Sequence, residues 1–145
     1  MSKWEHLFYG EYAERRKILS GLTLEQVTEV PSGQLHSIFA ELWHTVLWQN
    51  ILVKRDEAMY EQVWQKGERY PQESPKRIED WEALVEEFSQ GIDLALAWTA
   101  GPEKLALEVD PGITMADVLH GLAIHNAYHM GKIVAIRQMM SVWQA

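Results

Sequence analysis

Cysteine is absent from this chain of 145 residues. Disulfide scaffolds, zinc–thiolate fingers, iron–sulfur clusters and cysteine nucleophiles are thereby excluded, and any metal must be held by histidine and carboxylate. Positive charge is scarce as well. With 13 Lys and Arg against 21 Asp and Glu, the net charge is −8 before histidine, which leaves no surplus to neutralise phosphates, so nucleic acid is not an expected partner. Long apolar runs are missing too: the best stretch, Leu42 to Val53, contains His44, Gln49 and Asn50 and falls short of the roughly 18 residues of a spanning helix, so no membrane span is expected. The start, Met1-Ser2-Lys3-Trp4-Glu5-His6, carries charge where a secretory signal needs apolar residues, and predicts a cytoplasmic protein. Phenylalanine is sparse, with 3 Phe against 7 Trp. Because a buried Trp needs a partner for its N–H, that balance suits large, partly polar pockets between helices.

Hydrophobic periodicity of 3.6 residues dominates the chain, with no convincing alternation of period two between the segments that carry it, and the fold class is all-α in one domain, residues 1–145. Helix A is expected from about Lys3 to Leu19, turning Trp4, Leu7, Phe8, Tyr12, Ile18 and Leu19 to one face and ending at Gly21. In the connection Leu22 to Gly33, Thr23-Leu24-Glu25-Gln26 caps a short helical turn and Pro31-Ser32-Gly33 breaks it. Helix B, from about Gln34 to Trp64, is apolar almost all round in its first half (Leu35, Ile38, Phe39, Leu42, Trp43, Val46, Leu47, Ile51, Leu52), which makes that half central, whereas Lys54-Arg55-Asp56-Glu57 begins a solvated face. A second linker, Lys66 to Lys76, ends in Ser74-Pro75, a cap followed by proline at the first helical position. Helix C runs from there to about Ala100 and turns Ile78, Trp81, Val85, Phe88, Ile92 and Ala95 inward; Gly101-Pro102 stops it. The third linker closes with Asp110-Pro111-Gly112, and Thr114 with Asp117 opens helix D as a capping box. Four amphipathic helices of this kind describe a four-helix bundle. The second linker can stretch roughly 36 Å, so consecutive helices need not be antiparallel and the topology stays open.

Six histidines are present, at positions 6, 36, 44, 120, 125 and 129. The inward stripe of helix D is Met115, Val118, Leu122, His125, His129, Ile133, Ile136, Met140, with two imidazoles in the middle of an apolar line. Spacing of i and i+4 sets them about 6 Å apart at Cβ, within reach of one metal ion. Hydrogen-bonded core histidines are the alternative, but each ring would then need partners for two nitrogens in a desolvated place. His44 lies as deep in helix B as His125 lies in helix D and is flanked by Trp43, Leu47 and Trp48. Three imidazoles on one ion leave at least one coordination position open, as in catalytic rather than structural zinc, and imidazole suits Zn, Ni, Fe and Cu alike.

These residues are similar to a known family. His36-Ser37-Ile38-Phe39, Leu42-Trp43-His44 through Trp48-Gln49, and above all His125-Asn126-Ala127-Tyr128-His129-Met130-Gly131-Lys132-Ile133-Val134 resemble the DinB-like (DinB/YfiT) family of small bacterial metalloproteins. The resemblance spans the chain, with one His in the second long helix and H-x-x-x-H in the last. It implies a four-helix bundle with an up-down-down-up course, one divalent metal held by His44, His125 and His129, and frequent homodimers. Members are classed as metal-dependent hydrolases, and relatives transfer low-molecular-weight thiols such as bacillithiol or use mycothiol in maleylpyruvate isomerisation. Zn or Ni is the expected metal, with Fe, Mn or Co as the alternatives.

Glu41, Asn126 and Tyr128 are candidates to hydrogen-bond the ligand rings, and Trp43 and Trp48 to wall a substrate pocket. Trp4, Trp81 and Trp98 read as core. His6 reads as surface or interhelical, His36 as lying near the bundle end where it could line an entrance, and His120 as pointing away from His125. Glu41-x-x-His44 and Asp117-x-x-His120 have the spacing of di-iron bundles, but Asp117 fits a cap and that reading leaves the His125 and His129 pair unexplained. Paired axial histidines for haem would have to face each other across the group, which neighbours on one helix do not. The expected function is a metal-dependent enzyme that activates a small thiol or water for attack on a small electrophile, a thiol S-transferase or hydrolase. The alternative is a non-catalytic metal-binding stress-response bundle.

Overall fold

The computed structural model describes residues 2–10 and 14–144. At the N-terminus Ser2 caps a single turn, α1 (Lys3–Glu5), through a reciprocal capping box with Glu5. That turn runs into a π-helical turn, His6–Gly10, and α2 follows at Arg15–Leu19. Helix A is therefore not the single rod that its periodicity predicts. Gly10 has φ of 84°, a left-handed conformation that a Cβ would strain, and a Cβ built there would meet Arg15 Nη1 at 2.9 Å. Of the expected inward residues Phe8, Ile18 and Leu19 are buried, Trp4 packs on the core, Leu7 is exposed, and Tyr12 lies outside the described residues. α3 (Leu24–Thr28) is the short turn expected in the first connection, capped reciprocally by Thr23 and Gln26.

α4 spans Ile38–Lys54, shorter at both ends than helix B as read from periodicity. Ser37 accepts from the Ala40 N–H and starts it, so Leu35 stands before the helix and is 88% exposed. Its end is a break: Arg55 is left-handed, with φ of 52°, and Asp56 caps α5 (Glu57–Lys66) by accepting from Met59 N–H at 3.0 Å. The run Lys54 to Glu57 is thus a junction between two helices, not one solvated face. A left-handed non-glycine residue costs roughly 1–2 kcal/mol, and the Asp56 cap, at about 1 kcal/mol, offsets much of that.

α6 (Ile78–Trp98) begins after Arg77, not at Ser74-Pro75, and it buries Trp81, Phe88, Ile92 and Ala95 as its periodicity predicts. Beyond it come α7 (Pro102–Leu105) and an antiparallel hairpin, β1 (Glu108–Asp110) with β2 (Ile113–Thr114), which turns at the Pro111-Gly112 breaker. The two strands are too short to leave a period in the sequence. α8 (Met115–Met139) opens with the Thr114–Asp117 capping box and buries Met115, Leu119, Leu122, Met130, Ile133 and Ile136.

α4 is the central element and packs against both α6 and α8. Each fully buried Ile or Leu on these faces contributes roughly 1.5–3 kcal/mol. Polar pins fix the alignment. Asn126 on α8 donates to Gln49 Oε1 at 2.9 Å, and Gln49 donates to the Phe88 carbonyl of α6 at 2.9 Å, all three residues being buried. Gly91 makes room for this chain, since a Cβ there would lie 2.1 Å from Gln49 Nε2. Trp98 gives its N–H to the Val53 carbonyl at 2.8 Å, the partner that a half-buried Trp requires. At the other end Arg137 donates to the carbonyls of Ile18 (2.7 Å), Ser20 (2.9 Å) and Val142 (2.9 Å), tying the end of α2 to α8. Among the described residues no helix is long and apolar enough to cross a membrane.

Candidate metal centre

His44 comes from α4, and His125 and His129 from successive turns of α8. The ligand-capable atoms of the three rings lie within 4.8 Å of one another. Ring centroids are 5.2 Å apart for His44 and His125, 4.6 Å for His44 and His129, and 4.5 Å for His125 and His129. His44 and His129 are buried, and His125 is the least buried of the three. The amide pin lies in the same stretch of the two helices, with Asn126 between the α8 histidines and Gln49 five residues past His44.

Each ring is oriented differently. His129 Nδ1 lies 2.6 Å from Glu41 Oε2, and the other carboxylate oxygen of Glu41 is 3.3 Å from Lys132 Nζ. Glu41 is only 2% exposed. Burial pushes its pKa up, but the hydrogen bond from His129 and the Lys132 charge outweigh that and hold the carboxyl below its usual range. An ionised carboxylate only accepts, so His129 donates from Nδ1, which leaves Nε2 as the nitrogen available to a ligand. Likewise His44 Nδ1 donates to the Arg69 carbonyl at 2.8 Å, leaving Nε2 free. His125 is different, because its Nδ1 is buried and has no hydrogen-bond partner among the described residues.

Burial lowers the pKa of both His44 and His125. For His44 the bond to the Arg69 carbonyl opposes the shift. For His125 the neighbouring His129 and His44 add to burial and bring it to about 4. Neutral imidazoles with free ring nitrogens are what a cation requires. The residues also fit a cation on other grounds: a three-imidazole set without cysteine matches a divalent ion, and His125, one of the three, keeps a buried ring nitrogen with no hydrogen-bond partner among the described residues.

A family model described as DinB superfamily matches residues 7–133. The chain belongs to the DinB superfamily. No curated protein and no solved structure matches it.

In this DinB-superfamily chain the other candidates from the sequence take different places. Glu41 is the partner of His129 and so joins α4 to α8 beside the cluster. Asn126 serves the amide pin. Tyr128 is 62% exposed, edge-on to His129 at 5.1 Å with Lys132 over its ring at 5.4 Å. Trp43 packs against the core, and Trp48 meets Tyr60 and Trp64; among the described residues neither makes a ring contact with the three histidines. His120 points away, stacked on Trp4 at 4.5 Å. His6 is half-buried, and His36 lies near the cluster, face to face with Tyr70 at 3.6 Å. A cavity of about 440 Å³ lined by Tyr9, Arg15, Leu19, Phe88 and Ile92 contains none of the three histidines. Sequence reasoning missed Arg69, Tyr70 and Lys132. Lys132 has a signal, standing one turn past His129 and directly after Met130-Gly131; Tyr70, an aromatic beside a proline in a polar linker, has almost none.

Proposed function

We propose that this chain binds one divalent cation through His44, His125 and His129 and serves as a metal-dependent enzyme in which a low-molecular-weight thiol or water attacks a small electrophile. The observation that carries the reading is the convergence of three imidazoles from two helices, with ligand atoms within 4.8 Å of one another. When bound, the cation supplies the positive charge that lowers the pKa of the nucleophile and polarises the acceptor. Zn or Ni suits imidazole together with a soft anionic ligand, with Fe, Mn or Co as the alternatives.

The remaining steps fall to protein groups. Glu41 keeps the His129 proton on Nδ1 and makes that ring a better donor, while Lys132 balances the Glu41 charge. The histidines act as ligands, not as acids or bases. With no cysteine in the chain, a thiol nucleophile has to arrive as a cosubstrate, and we favour thiol transfer over hydrolysis because three neutral ligands leave the site with a charge that suits a thiolate. For the fold we infer a four-helix bundle with an up-down-down-up course, supported by the packing of α4 on α6 and α8 and of α2 on α8.

Elemental analysis after native purification should find about one divalent metal per chain, lost in His44→Ala and His125→Ala and kept in His6→Ala. Metal content unchanged in both of the first two would refute the site. Haloaromatic or epoxide acceptors offered with bacillithiol, with glutathione or without thiol, and simple esters and amides offered separately, then separate transfer from hydrolysis. Silence in every assay with the metal retained would favour a non-catalytic metal-binding bundle.

A further inference from the structure

The segment between α5 and α6, residues 67–77, delivers two adjacent groups to His44 that the proposed chemistry leaves without a role. The Arg69 carbonyl accepts the His44 Nδ1 proton at 2.8 Å. The next residue, Tyr70, lies flat on the His44 ring, with centroids 4.4 Å apart and planes 8° from parallel. Its other face is covered by His36, at 3.6 Å and 6°. Tyr70 is thus the middle plate of a three-ring stack whose outer plates are His36, just before the Ser37 cap of α4, and His44, within α4.

We propose that Tyr70 is a positioning residue for His44, and that seating of this strap is coupled to occupation of the three-histidine site by a divalent cation. The proposal rests on the metal-site reading of the three histidines. To present Nε2, an imidazole must have both its tautomer and its ring plane fixed. Glu41, on α4, fixes the tautomer of His129 from a rigid helix. For His44 both constraints come from the strap: the Arg69 carbonyl sets the tautomer and the Tyr70 ring sets the plane. Among the described residues that same Arg69–His44 bond is the only hydrogen bond joining residues 68–76 to the rest of the protein beyond the adjoining Gly67. A second tie is the Arg69 guanidinium over Trp64 at 4.5 Å. The strap is therefore held by the His44 ring that it orients, together with the stack on His36 and the contact with Trp64. A cation that immobilises His44 lowers the ordering cost of Tyr70, and a seated Tyr70 lowers the ordering cost of His44. Linkage makes the factor the same in both directions.

Lys66, Arg69, Lys76 and Arg77 are exposed at or beside the strap, so trypsin cleavage there reports its unseating. The experiment measures zinc affinity by chelator competition, and the rate of tryptic cleavage between 66 and 77 with and without zinc, in wild type, Tyr70→Phe, Tyr70→Ala and His36→Ala. Zinc should slow strap cleavage in the wild type. Tyr70→Ala should bind zinc about tenfold more weakly, the order typical of losing a group that orients a ligand, and zinc should no longer protect its strap. Tyr70→Phe, which keeps the ring, should restore both, and His36→Ala, which touches no ligand, should lose part of each. Zinc affinity of Tyr70→Ala within twofold of wild type, undiminished protection by zinc, or no rescue by Tyr70→Phe would overturn the proposal.

A metal-free measurement separates the two readings. In the proton NMR spectrum of the apo protein the His36 and His44 ring protons should carry a ring-current contribution from Tyr70 that is lost in Tyr70→Ala and kept in Tyr70→Phe. Its absence from the wild type would refute the stack even if zinc binds. Its presence in a wild type that takes up no zinc would refute the metal site, and the coupling with it.

Discussion

Replacing Glu41 with Gln keeps the volume and removes only the charge, and the geometry around the carboxylate dictates the consequence. Both carboxylate oxygens are engaged, Oε2 by His129 at 2.6 Å and Oε1 by Lys132 at 3.3 Å, whereas glutamine has one oxygen to give. If the amide oxygen faces His129, the amide NH2 faces an ammonium and Lys132 must swing out; at 35% side-chain exposure it can reach water, which keeps this below the roughly 3–5 kcal/mol cost of breaking a fully buried pair. If the NH2 faces His129, Nδ1 must accept, the ring proton moves to Nε2 and the ring cannot ligate. Either outcome weakens the site. Zinc affinity should fall about 10- to 100-fold, which is roughly 1.4–2.7 kcal/mol. Because metal stabilises the folded state by mass action, the zinc-induced rise in melting temperature should shrink by roughly 4–10 °C for a domain of this size. Chelator competition and scanning calorimetry, each with and without zinc, measure the two effects. Equal affinities in wild type and Glu41→Gln, with an unchanged zinc-induced shift, would refute the reasoning.

Gln49→Ala removes both bonds of the buried amide chain and leaves a gap opposite Gly91; a loss of about 3–4 kcal/mol in urea unfolding is expected, and a loss under about 1 kcal/mol would mean that the chain is not a pin. Stability of the apo protein should fall as pH drops from about 6.5 towards 4. His44 and His125 are held below their ordinary pKa in the fold, so in that window the unfolded chain takes up protons that the folded chain refuses. The lowered pKa of Glu41 acts in the same direction at still lower pH, where its folded carboxylate is finally protonated. A melting temperature flat from pH 7 to 4 would contradict both shifts. Chelated protein should keep its helical circular dichroism and melt lower than the loaded form, because the core forms from apolar faces without the ion; complete loss of helix would make the metal structural instead.

The parts of the fold legible in the sequence are those where local signals agree with tertiary packing. Thr114 and Asp117 announce the start of α8, and the i, i+4 pair His125 and His129 falls on its buried face, because a capping box and a 3.6 period belong to one helix and need no partner. The breaks are less legible. Periodicity carries straight through Gly10, since Phe8 before it and Ile18 and Leu19 after it look to the same core, and through Arg55, where Met59, Tyr60 and Trp64 keep a helical spacing although they stand exposed. Asp56 and Ser37 cap α5 and α4, yet Asp56 stands in a charged run and Ser37 between Leu35 and Ile38, settings that a continuous or longer helix also tolerates. Pairing across the cluster is another matter: Glu41 could be named as a candidate, but that it serves His129 rather than His44 depends on how α8 lies on α4. Tyr70 was beyond reach for the same reason, as nothing local tells which ring a linker tyrosine will cover.

The amide chain from Asn126 through Gln49 to Phe88 also bears on how the protein is loaded. Helices that meet through apolar side chains alone can slide along each other in steps of about 1.5 Å per residue with little to choose between neighbouring settings. A buried amide pair resists such sliding, because any other setting would break the bonds from Asn126 to Gln49 and from Gln49 to the Phe88 carbonyl and leave their donors buried without partners. Asn126 and Gln49 thus index α8 against α4 beside the three histidines, and the convergence of the helix positions is inherited from the scaffold, not created by an ion. On the proposed metal-site reading, a chain made when metal is scarce would wait with its backbone cradle already set. What is left to settle is the ring of His44, under its strap, and that of His125, whose Nδ1 has no hydrogen-bond partner among the described residues, so on that reading uptake is a matter of arrival and desolvation, with no refolding of the helices on the way.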